Sequence, residues 1–435
     1  MKKLLLFVLA LIMTVSALTA CEGNNDDISP VPKQYLPQIP EGGIEMLDSN
    51  IVKSTITSTD DGNGNYSNPV IFADVPDIDF IRVDDAYYMV STTMHLSPGC
   101  PIMKSYDLVN WEIVNYVFNT LDDADNLALR NGEHSYGKGQ WAASIRYHNG
   151  IFYVGFLSYS TGKSYIYYTK DIENGKWDRF VFDEGFHDMS LLFDEDGRVY
   201  LVYGGGDIWC VELEKDLSAV KPETKRKIIS DAGLTPGCLA EGAHAYKING
   251  YYYIFIITWP SGGRRTQLCY RSKSLDGDWE MKVILDDNLG FRNDGVAQGG
   301  IIDSADGNWY CLLFQDHGAV GRLPVLMPMT WEDDWPVVGI DGKAPKTAEI
   351  PVKGMERKGI VTSDEFINSQ IVRSYHSFAD SLEAAGENDY NGSNLLPEWQ
   401  WNHNPDNRLW SLTEREGYLR LKTGTVCRSV TQARN

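Results

Sequence analysis

The sequence predicts an all-β protein, a five-bladed β-propeller followed by the start of a β-sandwich that we expect to be truncated. Three observations predict it. Strand pairs joined by tight turns recur five times, a tryptophan follows three of these turns at a nearly constant distance, and no helical period separates the strands. The chain has 435 residues and is 43% hydrophobic, which is enough for a sizeable core.

Residues 1–20 are typical of a secretory signal peptide. Two lysines precede an apolar run that is too short to cross a bilayer, and small residues then lead to Cys21. The segment before Cys21 resembles a bacterial lipobox, which implies that Cys21 is lipidated; ordinary cleavage nearby is the alternative. Residues 21–64 are rich in Asn, Asp, Pro, Ser and Gly and are predicted to be a flexible tether. We therefore expect an exported protein whose lipid anchors it to the envelope of a Gram-negative bacterium, in the outer membrane or periplasm.

Charge and cysteine usage exclude two classes of function. The net charge of −21 argues against a nucleic-acid partner, which would need a basic surface. The six cysteines after Cys21 show no paired CxxC spacing, so no cysteine metal site is expected. Export permits disulfides, but buried free thiols are the interpretation that this scattered pattern favours.

The repeated unit is an alternating apolar strand, a tight turn and a second strand rich in aromatic residues. Asn-Gly and Asp-Gly between such strands are strong hairpin signals, because type I′ turns need positive φ at both central residues. The turns lie at Asp85, Gly150, Gly197, Gly250 and Gly307, and the recurring tryptophans are Trp111, Trp177 and Trp279. Residues 65–345 are predicted to form the propeller, residues 346–375 a linker and residues 376–435 the partial β-sandwich.

The innermost strand of each propeller blade lines the central channel, so residues at its start should face a common axis. Equivalent positions, nine residues before the turn glycines and eight before Asp85, are occupied by Asp77, Trp141, Asp188, Glu241 and Gln298. Three of these five are carboxylic acids flanked by small or apolar residues. Carboxyl groups forced together in a partly dry pocket cannot all ionise at their usual pKa values, so one becomes a proton donor near neutral pH. A proton donor facing a carboxylate base is the arrangement used in glycoside hydrolysis.

Three runs of sequence around these acids resemble glycoside hydrolase family 43, the inverting α-L-arabinofuranosidases and β-D-xylosidases. The runs are NPVIFADVPDIDFIRVDDAYYMVSTTMHLSPGCPIMKSYDLVNWE, HDMSLLFDEDGRVYLVYGG and AEGAHAYKINGYYYIF, and the resemblance covers about residues 66–345. It implies that Asp77 is the general base and Glu241 the general acid. It also implies that Asp188 raises the pKa of the acid and holds its orientation.

Four further residues are candidates for substrate binding: Arg322, Trp141, His317 and Gln298. Arg322 matches the family arginine that contacts the sugar in the −1 subsite, with a blade-closing ion pair as its alternative. Trp141 is a candidate hydrophobic wall for the sugar or a structural tryptophan. A core histidine with satisfied hydrogen bonds is the more ordinary interpretation of His317, as it is of His187 and His244.

The sequence departs from the family pattern in two places. The usual Pro-Asp-Pro-Ser becomes Pro76-Asp77-Ile78-Asp79, which adds a fourth acid, and alternation along a strand predicts that Asp79 shares a face with Asp77. Gln298 occupies a ring position that in many relatives carries a histidine ligand of an axial calcium. We therefore expect no required cofactor and no metal site, and Gln298 argues against the calcium.

The expected function is exo-acting release of arabinofuranose or xylose from plant hemicellulose or pectin side chains, as an α-L-arabinofuranosidase or β-D-xylosidase. The expected partner is an arabinose- or xylose-containing polysaccharide or oligosaccharide. An endo-acting arabinanase is disfavoured, because the appended sandwich usually accompanies pocket-type sites. Two alternatives stay open: a non-catalytic glycan-binding lipoprotein, and a retaining fructan hydrolase with the same propeller.

Overall fold

A computed structural model describes residues 58–361, 364, 366 and 395–433, except residues 413, 416, 425 and 428. The predicted signal peptide, Cys21 and most of the predicted tether lie outside the described residues. Within them the regular structure is β-strand, with a few short 3₁₀ turns. No helix in this part of the chain is long and apolar enough to span a membrane.

Five four-stranded antiparallel sheets form the blades, and each blade is built from one continuous segment of chain. In chain order the strands are Asp79–Val83, Ala86–Val90, Gly99–Ser105 and Glu112–Phe118 in blade 1; Gln140–His148, Ile151–Ser158, Lys163–Thr169 and Asp178–Phe182 in blade 2; Ser190–Phe193, Val199–Tyr203, Ile208–Glu212 and Arg226–Ile229 in blade 3; Leu239–Ile248, Tyr251–Trp259, Thr266–Ser272 and Glu280–Leu285 in blade 4; and Ala297–Asp303, Trp309–Asp316, Arg322–Glu332 and Trp335–Val338 in blade 5. The first strands of neighbouring blades contact one another in a closed ring. The first strand is therefore innermost, and the predicted five-bladed propeller is confirmed.

The predicted turns join the first and second strand of each blade. At Asn149-Gly150 both central residues have positive φ, 51° and 79°, as a type I′ turn requires. Asn249-Gly250 repeats this geometry with 51° and 75°. Each recurring tryptophan directly precedes the outermost strand of its blade, in blades 1, 2 and 4.

Apolar side chains from adjacent blades fill the spaces between them. Between blades 1 and 2, for example, Val90 and Ile102 belong to the same buried cluster as Ile145 and Val154. Four cysteines are buried free thiols, as predicted: Cys100, Cys210, Cys269 and Cys311. Cys427, in the C-terminal segment, is exposed.

The chain that precedes blade 1 closes the ring against blade 5. Its short strand Asn65–Ser67 pairs antiparallel with Thr347–Glu349, in the segment that follows blade 5. The Asn68 side chain then donates to the carbonyl of Leu326 at 2.7 Å and accepts from its N–H at 2.9 Å. The two ends of the propeller are thus tied to each other by backbone and side-chain hydrogen bonds.

The predicted tether boundary at residue 64 is too late in the chain. Thr59 already packs on the propeller, since its hydroxyl donates to the carbonyl of Val70 at 2.9 Å, and Ser58 donates to Asn110 at 2.6 Å. Residues 58–64 therefore belong to the folded unit.

Part of the C-terminal segment packs against the start of the propeller. The strand Trp401–Asn402 pairs with Leu96–Ser97, a short strand between the second and third strands of blade 1. The backbone N–H of Ser135 donates to Nε2 of His403 at 2.9 Å. A second short pair, Trp410–Ser411 with Arg420–Leu421, shows that this segment is also β-structured.

Candidate active site

The five ring residues lie where the innermost strands begin. Three of them have positive φ: Asp77 at 52°, Asp188 at 46° and Gln298 at 68°. In blade 4 the glycine after Glu241, Gly242, takes this conformation, with φ of 72°. Positive φ is strained for residues other than glycine and recurs where a fold holds side chains in functional orientations. These kinks interrupt strand alternation at the mouth of the channel.

Asp77 is buried and both of its carboxylate oxygens have donors. The hydroxyl of Thr92 donates to Oδ2 at 2.7 Å, and Nη1 of Arg322 donates to Oδ1 at 2.5 Å. Thr92 is itself fixed because its backbone N–H donates to the carbonyl of Pro76 at 3.1 Å. An arginine and a hydroxyl donor stabilise a negative charge on Asp77.

Asp188 and Glu241 form a second group of carboxyls with His187. One oxygen of each acid and one ring nitrogen of His187 lie within 4.8 Å of one another. The N–H of Gly242 donates to Oδ2 of Asp188 at 2.9 Å, so this acid is tied to the strand that carries Glu241.

Burial raises the pKa of Asp188 to about 7; His187 opposes the rise, and the charges of Glu241 and Asp77 add to it. Within the pair of Asp188 and Glu241, Asp188 therefore retains a proton in part of the molecules near neutral pH. Glu241 is the more accessible partner, with 23% of its side chain exposed against 5% for Asp188.

Arg322 reaches the site as expected, and a second arginine that the sequence did not single out lies beside it. Besides Asp77, Arg322 approaches Asp316, with Nε 3.4 Å from Oδ1. Arg265 forms an ion pair with the same Asp316. The neighbouring Arg264 instead pairs with the exposed Asp286. Arg264 and Arg265 cannot be told apart from the sequence. The fold places Arg265 beside Arg322 and Arg264 at the surface.

Aromatic rings form one side of the site. The Trp141 and Tyr159 rings meet edge to face with centroids 4.6 Å apart, and Trp141 lies 6.1 Å from His187. Nε2 of His187 is 3.2 Å from Oε2 of Glu241. His187 thus belongs to the site rather than to the core. Strand alternation predicts that consecutive side chains face opposite sides, but the positive φ of Asp188 lets both His187 and Asp188 approach the carboxylate of Glu241.

Gln298 lies beside the strand that carries Glu241, whereas His317 contacts residues outside the group of three acids. A Cβ on Gly242 would lie 2.8 Å from Cγ of Gln298, so the two residues are in close contact. His317 stacks on Phe291 with ring centroids 3.9 Å apart and hydrogen-bonds Gln315. No hydrogen bond joins His317 to the three acids within residues 58–361, and its role in substrate binding stays a prediction.

Asp79 is a counter-ion inside the channel rather than a fourth acid facing the substrate. Its side chain is fully buried, and Oδ2 accepts from Nη1 of Arg146 at 2.6 Å and from the N–H of Ile145 at 2.9 Å. Burial alone would raise the pKa of Asp79, but Arg146 and His244 outweigh burial and hold this pKa well below its usual range. His244, buried 3.2 Å from Oδ1, is the satisfied core histidine that the sequence predicts.

The residues at the axis do not fit a bound calcium. The channel already contains the guanidinium cation of Arg146, in blade 2, which pairs with Asp79 of blade 1. Its Nη2 donates to the hydroxyl of Ser190 in blade 3 at 3.0 Å and to the carbonyl of Ala245 in blade 4 at 3.2 Å. Gln298, at the ring position in question, offers a single neutral amide oxygen, whereas calcium takes six to eight oxygen ligands.

Comparisons with known proteins agree with this geometry. Residues 66–336 match the family described as Glycosyl hydrolases family 43, and residues 387–435 match the Beta xylosidase C-terminal Concanavalin A-like domain. A beta-xylosidase of Formosa agariphila is 33% identical over 408 residues, covering 84% of this chain and 63% of that protein. A non-reducing end alpha-L-arabinofuranosidase of Bacteroides ovatus is 29% identical over 372 residues, covering 82% of this chain and 65% of that protein.

A solved structure of a bifunctional GH43-CE protein of Bacteroides eggerthii is also similar. It is 46% identical, with a TM-score of 0.75 over 85% of this chain and 45% of the other. The chain spans less than two thirds of the length of each of these three proteins. The family match nevertheless covers more than half of this chain and contains all three ring acids. The chain therefore belongs to glycosyl hydrolases family 43.

Proposed function

We propose that this protein is an inverting, exo-acting glycoside hydrolase that releases arabinofuranose or xylose from plant hemicellulose or pectin side chains. The observation that carries the proposal is the convergence of Asp77, Asp188 and Glu241 at the start of three innermost strands. The names of its relatives support the sugar class, since one is a beta-xylosidase and another an alpha-L-arabinofuranosidase.

Asp77 is suited to act as the general base. Arg322 and Thr92 each donate a hydrogen bond to one of its oxygens, so the carboxylate is held in a fixed position when it takes a proton from the attacking water. Glu241 then protonates the departing glycosidic oxygen. Asp188 keeps a proton within the acid pair because burial and neighbouring charges raise its pKa to about 7. Base and acid belong to blades 1 and 4, on separate parts of the ring, as attack and departure on opposite sugar faces require.

The rest of the site suits a small neutral sugar. The rings of Trp141 and Tyr159 offer apolar surface against which a pentose face can pack. Arg322 and Arg265 offer N–H donors, and their charges are balanced by Asp77 and Asp316. Neither arginine of this cluster lacks a carboxylate partner, so neither is left unpaired to bind an acidic substrate. We infer that hydroxyl groups, not carboxylates, are recognised.

A product screen over arabinose- and xylose-containing polysaccharides tests the proposal, with nitrophenyl arabinofuranoside and nitrophenyl xyloside as small substrates. Asp77→Asn should abolish release of sugar, whereas Asp85→Asn, in the exposed turn of the same blade, should not. NMR of the first-formed anomer should show inversion. Absence of any released sugar would favour a glycan-binding protein, a retained anomer would favour a retaining mechanism, and internal cleavage would contradict exo action.

We also propose that the chemistry needs no metal ion, since the axial cation is Arg146 and the groups that exchange protons with the sugar and the attacking water are carboxyl groups. From the sequence before Cys21 we propose that a lipid on this residue anchors the protein to the bacterial envelope. Residues 1–21 lie outside the described part of the chain. Membrane fractionation of the full chain and of Cys21→Ala tests the anchor, because the variant should move to the soluble fraction.

A further inference from the structure

His187 is the side chain that links the acid pair to the aromatic side of the site. Its Nε2 lies 3.2 Å from Oε2 of Glu241, and its Nδ1 lies 3.0 Å from the hydroxyl of Tyr159. Nδ1 is also 3.6 Å from Oδ1 of Asp188. Both ring nitrogens therefore have oxygen partners, which is the arrangement that a doubly protonated imidazolium requires.

Three carboxyl groups and one phenol face this imidazole. Burial alone would lower the pKa of His187, but the hydrogen bond with Glu241 and the charges of Asp188, Glu241 and Asp77 outweigh burial and raise it. Burial, with the charges of Asp188 and Glu241, raises the pKa of Tyr159, so its hydroxyl keeps its proton. The surroundings therefore favour a proton on His187 near neutral pH.

The backbone fixes this position. Phe186, directly before His187, is fully buried, and the carbonyl of His187 accepts from the N–H of Gly204 at 2.9 Å. The side chain itself is 23% exposed, so solvent reaches the ring. His187 is thus held firmly while remaining open to proton exchange.

We propose that His187 is the proton partner of the general acid: it shares a proton with Glu241 across the contact between Nε2 and Oε2, and it supplies that proton in each turnover. This inference rests on the proposed function, in which Glu241 is the acid. Since His187 acts through Glu241, it is a positioning and proton-supplying residue rather than one that touches the sugar.

The proton balance of the step is complete. The N–H bond at Nε2 of the His187 imidazolium breaks and an O–H bond forms at Oε2 of Glu241. Neutral His187 keeps its proton on Nδ1, which donates to the Tyr159 hydroxyl. Glu241 passes its proton to the departing glycosidic oxygen while Asp77 takes one from the attacking water. Solvent then returns a proton to Nε2 and removes one from Asp77, which restores the starting state.

A titration of the histidine rings tests the shared proton without any substrate. In ¹⁵N-histidine-labelled protein, Glu241→Gln should lower the pKa of His187 by about one pH unit or more, because it removes a neighbouring negative charge. His148 is the matched control within the same spectrum. It stacks on Phe193 with ring centroids 4.5 Å apart, outside the acid cluster, and its titration should not change. An unchanged titration of His187 in Glu241→Gln would overturn the proposal.

Kinetics of His187→Gln test the supply of the proton. The glutamine amide can still donate a hydrogen bond to Glu241 but cannot give up a proton. The proton needed by the leaving group is therefore lost from the site at lower pH than in the wild-type protein. We expect the basic limb of the kcat profile to move down by about one pH unit, and kcat on an alkyl pentoside to fall about 10- to 100-fold. A nitrophenyl pentoside should lose less. Tyr159→Phe should shift the basic limb of the kcat profile in the same direction but less, because it removes only the hydrogen-bond partner of Nδ1 of His187. The control His148→Gln should leave both the pH profile and kcat unchanged.

A purely structural role for His187 predicts a different result. It would lower kcat equally on both substrates and leave the pH profile in place, and that outcome would overturn the proposal. If the wild-type protein released no sugar at all, the proposed hydrolase function would fail instead. The ring titration would still decide whether His187 and Glu241 share a proton, so the two failures are distinguishable.

Discussion

The ion pair between Asp79 and Arg146 makes a quantitative prediction about stability. Asp79→Asn keeps the shape of the side chain and an oxygen for the N–H of Ile145, but it leaves the guanidinium without its counter-ion. The Arg146 side chain is only 13% exposed and Asp79 is not exposed at all. Removing one partner of such a buried pair costs about 3–5 kcal/mol. That is a large part of the roughly 5–15 kcal/mol by which folded proteins are stable.

A surface ion pair of the same length supplies the control. Arg198 and Asp196 also lie 2.6 Å apart, but their side chains are 54% and 44% exposed. Asp196→Asn should therefore cost about 0–1 kcal/mol. Urea unfolding followed by tryptophan fluorescence measures both variants. The prediction would be refuted if both variants lost the same free energy of unfolding, or if Asp79→Asn lost less than about 1 kcal/mol. Burial of the pair of Asp79 and Arg146 would then not determine how much it stabilises the fold.

The same pair has a defined pH dependence. Because Arg146 and His244 hold the pKa of Asp79 in the folded protein below its usual value of 3.8, ionised Asp79 stabilises the fold above that pH. The contribution is lost as the pH falls through the folded pKa. The free-energy difference between wild type and Asp79→Asn should therefore be constant above about pH 5 and shrink below about pH 4. A difference that grows on acidification would contradict the assigned direction.

Three further predictions follow from the site. Glu241→Gln should lower kcat about 100-fold or more on pentose oligosaccharides but less on a nitrophenyl pentoside, because nitrophenolate leaves with little protonation; equal losses would argue against the acid role. Gly242→Ala should destabilise the protein by about 1–3 kcal/mol in thermal unfolding, since φ is 72° and the new Cβ would lie 2.8 Å from Cγ of Gln298. Gly237→Ala, at φ of 79° with no atom within 4 Å of the new Cβ, isolates the backbone part of that loss. Dialysis against EDTA should leave activity unchanged in a nitrophenyl assay, and a loss that calcium restores would contradict the axial role of Arg146.

The ring acids could be predicted because they depend on a regular feature. Each innermost strand runs from the channel mouth to a hairpin turn, so counting back from Gly197 and Gly250 leads to Asp188 and Glu241. The turns themselves can be predicted because Asn149-Gly150 and Asn249-Gly250 have the residue types that positive φ requires. The fold and the acids therefore follow from local chemistry and repetition.

The partners of these acids could not be predicted in the same way. Tyr159 lies just beyond the second strand of blade 2, where no repeat fixes the register, and Arg265 is indistinguishable in sequence from Arg264. Alternation gave no reason to place His187 and Asp188 together, because it assumes a regular strand and Asp188 has positive φ. The sequence predicts Asp79 as a fourth acid of the site, because its counter-ion, Arg146, comes from another blade and cannot be identified locally. Contacts between blades decide these roles.

The closure of the ring has a consequence for where the chain can be cut or its ends rejoined. In the described chain no blade combines strands from both ends, so no shared sheet closes the seam between blades 1 and 5, and the segments that flank the propeller add backbone hydrogen bonds across it. Asp77 lies in the segment before blade 1 and Arg322 begins the third strand of blade 5, so this ion pair joins the two sides of the seam. A fragment that starts at Asp79 would retain every strand of the five blades and still lack Asp77. Expression boundaries belong before Thr59, and circular permutation is better placed at the outer turns of blades 2 to 4.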